Sequence, residues 1–424
     1  MLLLRGGLVL DPTSDVERVA DVLLVDGRVR EIGEALVAPD AEVRDVSGCW
    51  VVPGLLDLRT HLREPGQEYK EDLQSGLAAA AAGGFTTVCA MPGTKPVNDQ
   101  RAVTQLILAR AEALGGTRVL PFGAITKGLE GRELAEMAEL RDAGCVGVTD
   151  DRKPVHDAQL LRRALEYAAT FGLVVMQHCE EPSLSHGAFA HEGVISTRLG
   201  LRGAPRQAEE SAVVRDLSVA ELTGAPLHVA HVSSSGAVAR IRDAKSRGVL
   251  VTADVTPHHL TWTDEALLGF DTAARVIPPL REASDRDALR RGLADGTIDC
   301  IATDHAPHAP LEKECELAEA LPGMIGLETA LPLVLALVRD GVLTRRRAVE
   351  ALTTGPARVL GRSATLTDAS DLTVIDPEHA WTPSRETLRS KSTNTLLLGR
   401  EVQGAARLTI VRGRVVFDRA TVGA

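Results

Sequence analysis

The sequence predicts an α/β fold: an eight-stranded parallel (β/α)8 barrel of the TIM type, with a small β-domain built from the N- and C-terminal segments. Two observations predict it. Short apolar, β-branched runs recur through the middle of the 424 residues, each followed by a segment with helical spacing. Both ends instead alternate short β-prone runs with Gly, Asp and Pro turns.

The N-terminal end carries LLLRGGLVLD, ADVLLVDGRVREIG and AEVRDVSGCWVVPG, and the C-terminal end carries DLTVIDP followed by ARLTIVRGRVVFD. Their shared texture places 1–50 and 366–424 in one composite β-domain, with 51–365 as the barrel. Two unrelated terminal caps are the plainer alternative. The barrel runs are WVVPGLLDL, TTVCAMPG, VLPFGAIT, GCVGVTDD, LVVMQHCEE, PLHVAHVSS, LVTADVTPHHL and CIATDHAPH. Segments such as QRAVTQLILARAEAL, LLRRALEYAATFG and GAVARIRDAKSRG supply the helices between them.

Composition narrows the function. Apolar residues make up 44% and charged residues 25%, as in an ordinary globular protein. The formal charge of −11 argues against a general nucleic-acid or anionic-membrane binder, because phosphate contacts need clustered Lys and Arg. It leaves room for a local basic pocket. Cys49, Cys89, Cys145, Cys179, Cys300 and Cys315 form no C-x-x-C pair, so they read as reduced, mostly buried thiols rather than a disulfide framework or thiolate zinc site. The apolar start MLLLRGGLVLDP is too short for a leader, and no long apolar stretch follows, so a soluble cytoplasmic protein is expected.

In such barrels the functional groups sit where strands end and βα loops begin. His61 ends the first strand run, Asp151 the fourth, His178 the fifth, His231 the sixth and Asp304 the eighth. Imidazole and carboxylate donors suit a cation such as zinc, and two cations could share Asp151 as a bridge. Asp304 could then act as general base and return the proton to a leaving nitrogen. Singly, each residue has a plainer explanation. His178 or His231 alone reads as a hydrogen-bonded core histidine, Asp150 as a loop carboxylate, and His259 and His305 as capping or packing groups. Their joint placement at strand ends favours a metal-site architecture, occupied or inherited.

With those residues in place, HLREPG at 61–66, EYKED at 68–72, VTPHHL at 255–260, PPLR at 278–281, DCIATDHAPH at 299–308 and SKSTNTLLLG at 390–399 make the chain resemble a dihydroorotase of the long bacterial class, in the amidohydrolase superfamily. The resemblance covers essentially the whole length. It implies cyclisation of N-carbamoyl-L-aspartate to dihydroorotate, or the reverse hydrolysis, in pyrimidine biosynthesis. It also implies one or two zinc ions at His61, Asp151, His178, His231 and Asp304, with Asp304 as catalytic acid/base. Arg63, His308, Pro322 and Gly323 match substrate-contacting positions, the last two in a loop, 309–323, long enough to close over a ligand.

Three positions depart from that pattern. In DLRTHLREPG, Arg59 stands where the family has the first metal histidine; Gly93 and Ile277 stand where it usually has substrate-binding Asn residues. A guanidinium is effectively always protonated, so Arg59 cannot ligate a cation and is expected to pair with Asp151 or Asp304. Gly93 and Ile277 offer no side-chain hydrogen bond, leaving ring amides unpaired at ~1–3 kcal/mol each. These losses point to impaired catalysis. A fully active zinc dihydroorotase is one alternative, and a non-catalytic partner of aspartate carbamoyltransferase, as known among such relatives, is another. A homo-oligomer is expected. A hydantoinase or allantoinase is disfavoured, because those relatives carry a bridging lysine on the fourth strand where Asp151 stands.

Overall fold

The computed structural model describes residues 1–421; residues 422–424, the end of the 366–424 segment assigned to the β-domain, lie outside the described residues. The N-terminal strands are β1 (Leu2–Leu10), β2 (Glu17–Val25), β3 (Arg28–Gly33), β4 (Glu42–Asp45) and β5 (Trp50–Pro53). β1 pairs antiparallel with β2 and parallel with β4 and β5.

The barrel follows as β6 (Leu55–Thr60), β7 (Phe85–Ala90), β8 (Arg118–Gly123), β9 (Gly147–Val148) and β10 (Val174–Gln177). A two-stranded ribbon, β11 (Ala190–His191) and β12 (Gly203–Ala204), interrupts it before β13 (Leu227–Val229), β14 (Val251–Val255) and β15 (Cys300–Ile301). The eight barrel strands pair in chain order, all parallel. A bridge between Thr60 and His305 joins the first strand to the end of the eighth, where His61 N donates to His305 O at 2.9 Å. Asp57 reinforces this seam: its buried carboxylate accepts from Thr303 N (2.6 Å), from Thr303 Oγ1 (2.8 Å) and from the Thr60 hydroxyl.

The remaining strands, β16 (Leu372–Trp381), β17 (Val402–Val411) and β18 (Arg414–Asp418), return to the N-terminal sheet, where β16 pairs antiparallel with β5. The run WVVPGLLDL, expected as one barrel strand, is therefore divided. Trp50–Pro53 belongs to the terminal sheet and Leu55–Thr60 to the barrel, with Gly54 N turned onto Asp371 O at 3.0 Å.

Helices with apolar inner faces alternate with the barrel strands, for example Leu73–Ala82, Ala158–Thr170 and Ser235–Ser246, whose first turns are capped by Asp72, Asp157 and Ser234. Their buried residues merge with strand residues such as Phe85, Val175 and Val229 into the main core. A separate cluster, in which Leu58, Met91, Phe122, Met176 and Ala230 meet from several strands, fills the barrel interior. The cysteines are free, and all but Cys315 are buried. Among the described residues no helix is long and apolar enough to cross a membrane.

Candidate active site

Arg59 is the largest fully buried side chain of the molecule, with 0% exposure. Its Nε donates to Asp304 Oδ1 at 2.8 Å and its Nη2 to Asp151 Oδ1 at 2.6 Å. The third nitrogen, Nη1, faces only the sulfurs of Met91 and Met176, at 3.9 and 4.0 Å. One guanidinium thus spans the carboxylates that end the fourth and eighth strands. His61, two residues on in DLRTH, points to the same side: its Nε2 lies 3.6 Å from both Asp151 Oδ1 and Asp304 Oδ1.

The electrostatics follow from this pairing. Burial alone would lower the Arg59 pKa, but Asp151 and Asp304 overcome it and hold the guanidinium above its usual value. Burial likewise opposes ionisation of Asp304, yet Arg59 and His61 carry its carboxyl well below the usual range. Asp151 is lowered too, with His61, Arg59 and Arg152 outweighing burial. His61 is lowered by burial, against the pull of Asp151 and Asp304. At 3.6 Å its Nε2 lies just beyond hydrogen-bond distance of either carboxylate and is buried without a hydrogen-bond partner.

His178 and His231 stand beside this pair with ring centroids 4.8 Å apart. His178 Nε2 is 3.1 Å from Glu180 Oε2, whereas His178 Nδ1 and both nitrogens of His231 are buried without a hydrogen-bond partner. Burial, with Arg59 and His178 adding, pushes the His231 pKa well below normal. Arg63, Asp151, His231 and Asp304 all have left-handed backbone, with φ of 63°, 59°, 38° and 46°. Such non-glycine geometry costs of order 1–3 kcal/mol each and concentrates at functional sites.

Unpartnered imidazole nitrogens fit one cation between His178 and His231. His61 Nε2 is also unpartnered, but Arg59 already places a positive charge on the Oδ1 atoms of Asp151 and Asp304, which disfavours a second cation there. Among the described residues, a group with ligand atoms within 4.8 Å of one another lies elsewhere, at His191, Glu282 and Asp285. There Arg281 Nη1 faces His191 Nδ1 at 3.2 Å, which leaves the ring hydrogen on Nε2, and Arg206 Nη2 sits on Glu282 at 2.7 Å. Both features disfavour a cation.

The positions matched to substrate contacts surround the mouth. Arg63 is buried, donates from Nε to Pro307 O at 3.2 Å and keeps Nη2 unpartnered; burial, with Arg152 adding, lowers its pKa to about 10. His308 Nε2 donates to Pro322 O at 3.0 Å, and Arg152 Nη1 donates to the same oxygen at 2.7 Å. Gly323 has φ of 144°, and a Cβ there would come within 2.7 Å of the Ala306 Cβ. Gly93 lies against Asp151: a Cβ built on it would stand 2.9 Å from Asp151 Oδ2. Ile277 is half-buried in the wall of a cavity of about 350 Å³ that also includes Glu180 and Arg275.

Other residues answer to local roles. Asp150, expected as a loop carboxylate, is 2% exposed and accepts from Ile125 N and Thr126 N at 2.8 and 2.9 Å; burial raises its pKa to about 6. His259 is bonded through both ring nitrogens, to Thr256 Oγ1 and Pro278 O, and His305 Nδ1 accepts from Gly326 N. Sequence reading passed over Arg152, Glu180 and Asp254. Asp254 accepts from His231 N at 2.7 Å and pairs with His228 Nε2 at 2.9 Å, holding His231 in its strained conformation. Arg152 directly follows the motif residue Asp151 and Glu180 lies two residues after His178, which is the signal that could have found them.

A closed parallel barrel with imidazoles and carboxylates gathered at its strand ends is an amidohydrolase-type fold. Residues 48–237 match the family model described as dihydro-orotase-like. The chain is 51% identical over 422 residues to the dihydroorotase of Geotalea daltonii, covering 99% of each, and 53% identical to that of Anaeromyxobacter dehalogenans, covering 99% of this chain and 98% of that one. It belongs to the dihydroorotase family. Among solved structures it resembles the L-hydantoinase (dihydropyrimidinase) of Arthrobacter aurescens, with TM-score 0.88 and 25% identity, covering 100% of this chain and 97% of the other.

Proposed function

We propose that this member of the dihydroorotase family acts in pyrimidine biosynthesis with its cyclic-amide chemistry impaired and its substrate grip retained. The observation that carries the reading is the Arg59 guanidinium lying on both Asp151 and Asp304. A general acid/base works best with a pKa near the operating pH, and Arg59 holds the Asp304 carboxyl far below it. Gly93 and Ile277 remove two further groups that could orient a ring amide. Arg63, buried with a free Nη2, keeps a fork suited to a substrate carboxylate, and His308, Pro322 and Gly323 frame it.

His178 and His231 would hold a single zinc ion, which when bound polarises a carbonyl and acidifies water. Asp304 would hold or move the proton at the reacting nitrogen only when released from Arg59. The test compares wild type with Arg59→His for metal content and for dihydroorotate turnover. We expect little of either in wild type and a large gain of both in the variant. Wild type that carries about one or two equivalents of zinc and turns over dihydroorotate freely overturns the reading, and a variant that gains metal without rate shifts the lesion to Gly93 and Ile277.

A second reading, an active zinc dihydroorotase, is favoured by the unpartnered nitrogens of His178 and His231 and by the name of the relatives at 51–53% identity. The same experiment separates the two. A cytoplasmic homo-oligomer assembled with aspartate carbamoyltransferase would give the impaired chain its task; co-purification of the two proteins, against a self-associated chain alone, tests that role.

A further inference from the structure

A cavity of about 790 Å³ opens between loop 309–323 and the segment 385–400. Of the residues matched to substrate contacts, only His308 reaches its wall. Arg385, Arg400, Lys391 and Lys313 line it against Asp271 and Glu314, an excess of two positive charges (four minus two) in a chain of net charge −11. Lys391 is matched by Asp72, and the Lys313 ammonium donates to Thr272 O and Leu321 O at 2.8 Å each. Arg385 and Arg400 are exposed, and among the described residues neither guanidinium has an ion pair or a hydrogen bond.

One wall is rigid. Glu328 accepts from Arg389 N and Ser390 N, Glu71 accepts from Lys391 N and the Ser390 hydroxyl, and Asn394 donates to Ala306 O and Gly323 O. The opposite wall is loop 309–323, pinned to the neighbouring turn by Lys313 and by Arg275, which donates to Leu317 O and Ala318 O. Tyr69, 65% exposed, and Leu398, 46% exposed, add an aromatic and an apolar face to a rim of charged and hydroxyl-bearing residues. A volume of this size suits a ligand larger than an inorganic anion.

We propose that this cavity binds a phosphorylated compound of nucleotide size, its phosphate on Arg385 and Arg400 and its ring against Tyr69 and Leu398. Pro310, Lys313 and Glu314 of loop 309–323 line the opposite wall, so a ligand that fills the cavity also meets this loop, ties it to the fixed 385–400 segment and regulates access to the barrel mouth. The inference does not rest on whether the barrel site is catalytic.

The test is calorimetric titration of the full chain with AMP and with inorganic phosphate, for wild type, the double variant Arg385→Ala/Arg400→Ala, and Arg63→Ala. AMP is expected to bind more tightly than phosphate, to weaken about tenfold or more in the double variant, and to keep its affinity in Arg63→Ala. It should also slow cleavage by a glutamate-specific protease at the exposed Glu314 and Glu316. No heat at millimolar AMP, equal affinity for phosphate, or loss of binding in Arg63→Ala but not in the double variant overturns the assignment.

Discussion

Replacing Arg59 with Met tests whether the guanidinium is the counter-charge of the site. Methionine fits the apolar surroundings supplied by Met91 and Met176 but leaves Asp151 and Asp304 buried without their cation. Removing one partner of a buried ion pair typically costs ~3–5 kcal/mol, a large share of the ~5–15 kcal/mol that stabilises a domain. The sign of the pH dependence follows from the two states of the carboxylates. In wild type their folded pKa values are depressed, so their contribution is present above the unfolded value of ~3.9 and lost as pH falls through the folded value. In the variant, burial without Arg59 raises them, so stability is kept below ~3.9 and lost as pH rises. The gap between the two proteins must therefore widen from acid to neutral pH, by ~1.4 kcal/mol for each unit separating the folded pKa values. Urea unfolding at a series of pH values measures it. A variant as stable as wild type near neutrality, or a gap that does not change with pH, refutes the idea that Arg59 neutralises this pair.

Three other outcomes are expected. Asp57→Ala strips the barrel seam of an acceptor for Thr303 N and the Thr60 and Thr303 hydroxyls, and should lower stability by ~2–3 kcal/mol in urea unfolding. Glu328 has its pKa raised to about 7 by burial, with Glu71 adding to the shift, so its stability contribution is full below the unfolded value of ~4.3 and lost as pH rises through about 7. Glu328→Gln should therefore raise the melting temperature near pH 8 more than near pH 5, a contrast of order 2 kcal/mol, and equal shifts would count against it. Gly93→Asn should destabilise wild type by ~1–3 kcal/mol, since even a Cβ comes within 2.9 Å of Asp151 Oδ2. The same change in an Arg59→His background should cost less, a coupling of ~1 kcal/mol or more in a double-mutant cycle.

The barrel was legible because its runs are dense in β-branched residues and separated by helical spacing, a pattern set by burial on both faces. This held even for β9 and β15, which the hydrogen-bond ladder reduces to two residues each. The division of WVVPGLLDL between two sheets was not legible, since both halves are apolar and only the partner strand tells them apart. At the site, the strand-end residues could be read from where the apolar runs stop, and a carboxylate partner for Arg59 from its permanent charge. Its simultaneous grip on Asp151 and Asp304 could not, because it depends on the distance between strands far apart in sequence. Asp150 does sit in the loop after β9, as expected, but a carboxylate after a strand gives no sign that backbone amides at Ile125 and Thr126 will enclose it. Asp254 acts on His231 through the main-chain amide that follows the preceding strand, β13, a contact that leaves no mark on the His231 side chain.

The missing Cβ at Gly93 couples this position to Arg59 through Asp151. With Arg59 present, Asp151 leans into the space that an asparagine would fill, so an asparagine introduced first meets an occupied position. Histidine introduced first at position 59 frees Asp151 to move and opens that space afterwards. Asparagine at 93 is thus expected to cost more while arginine stands at 59 than once histidine replaces it, so the order in which the two positions change sets the stability of the intermediate.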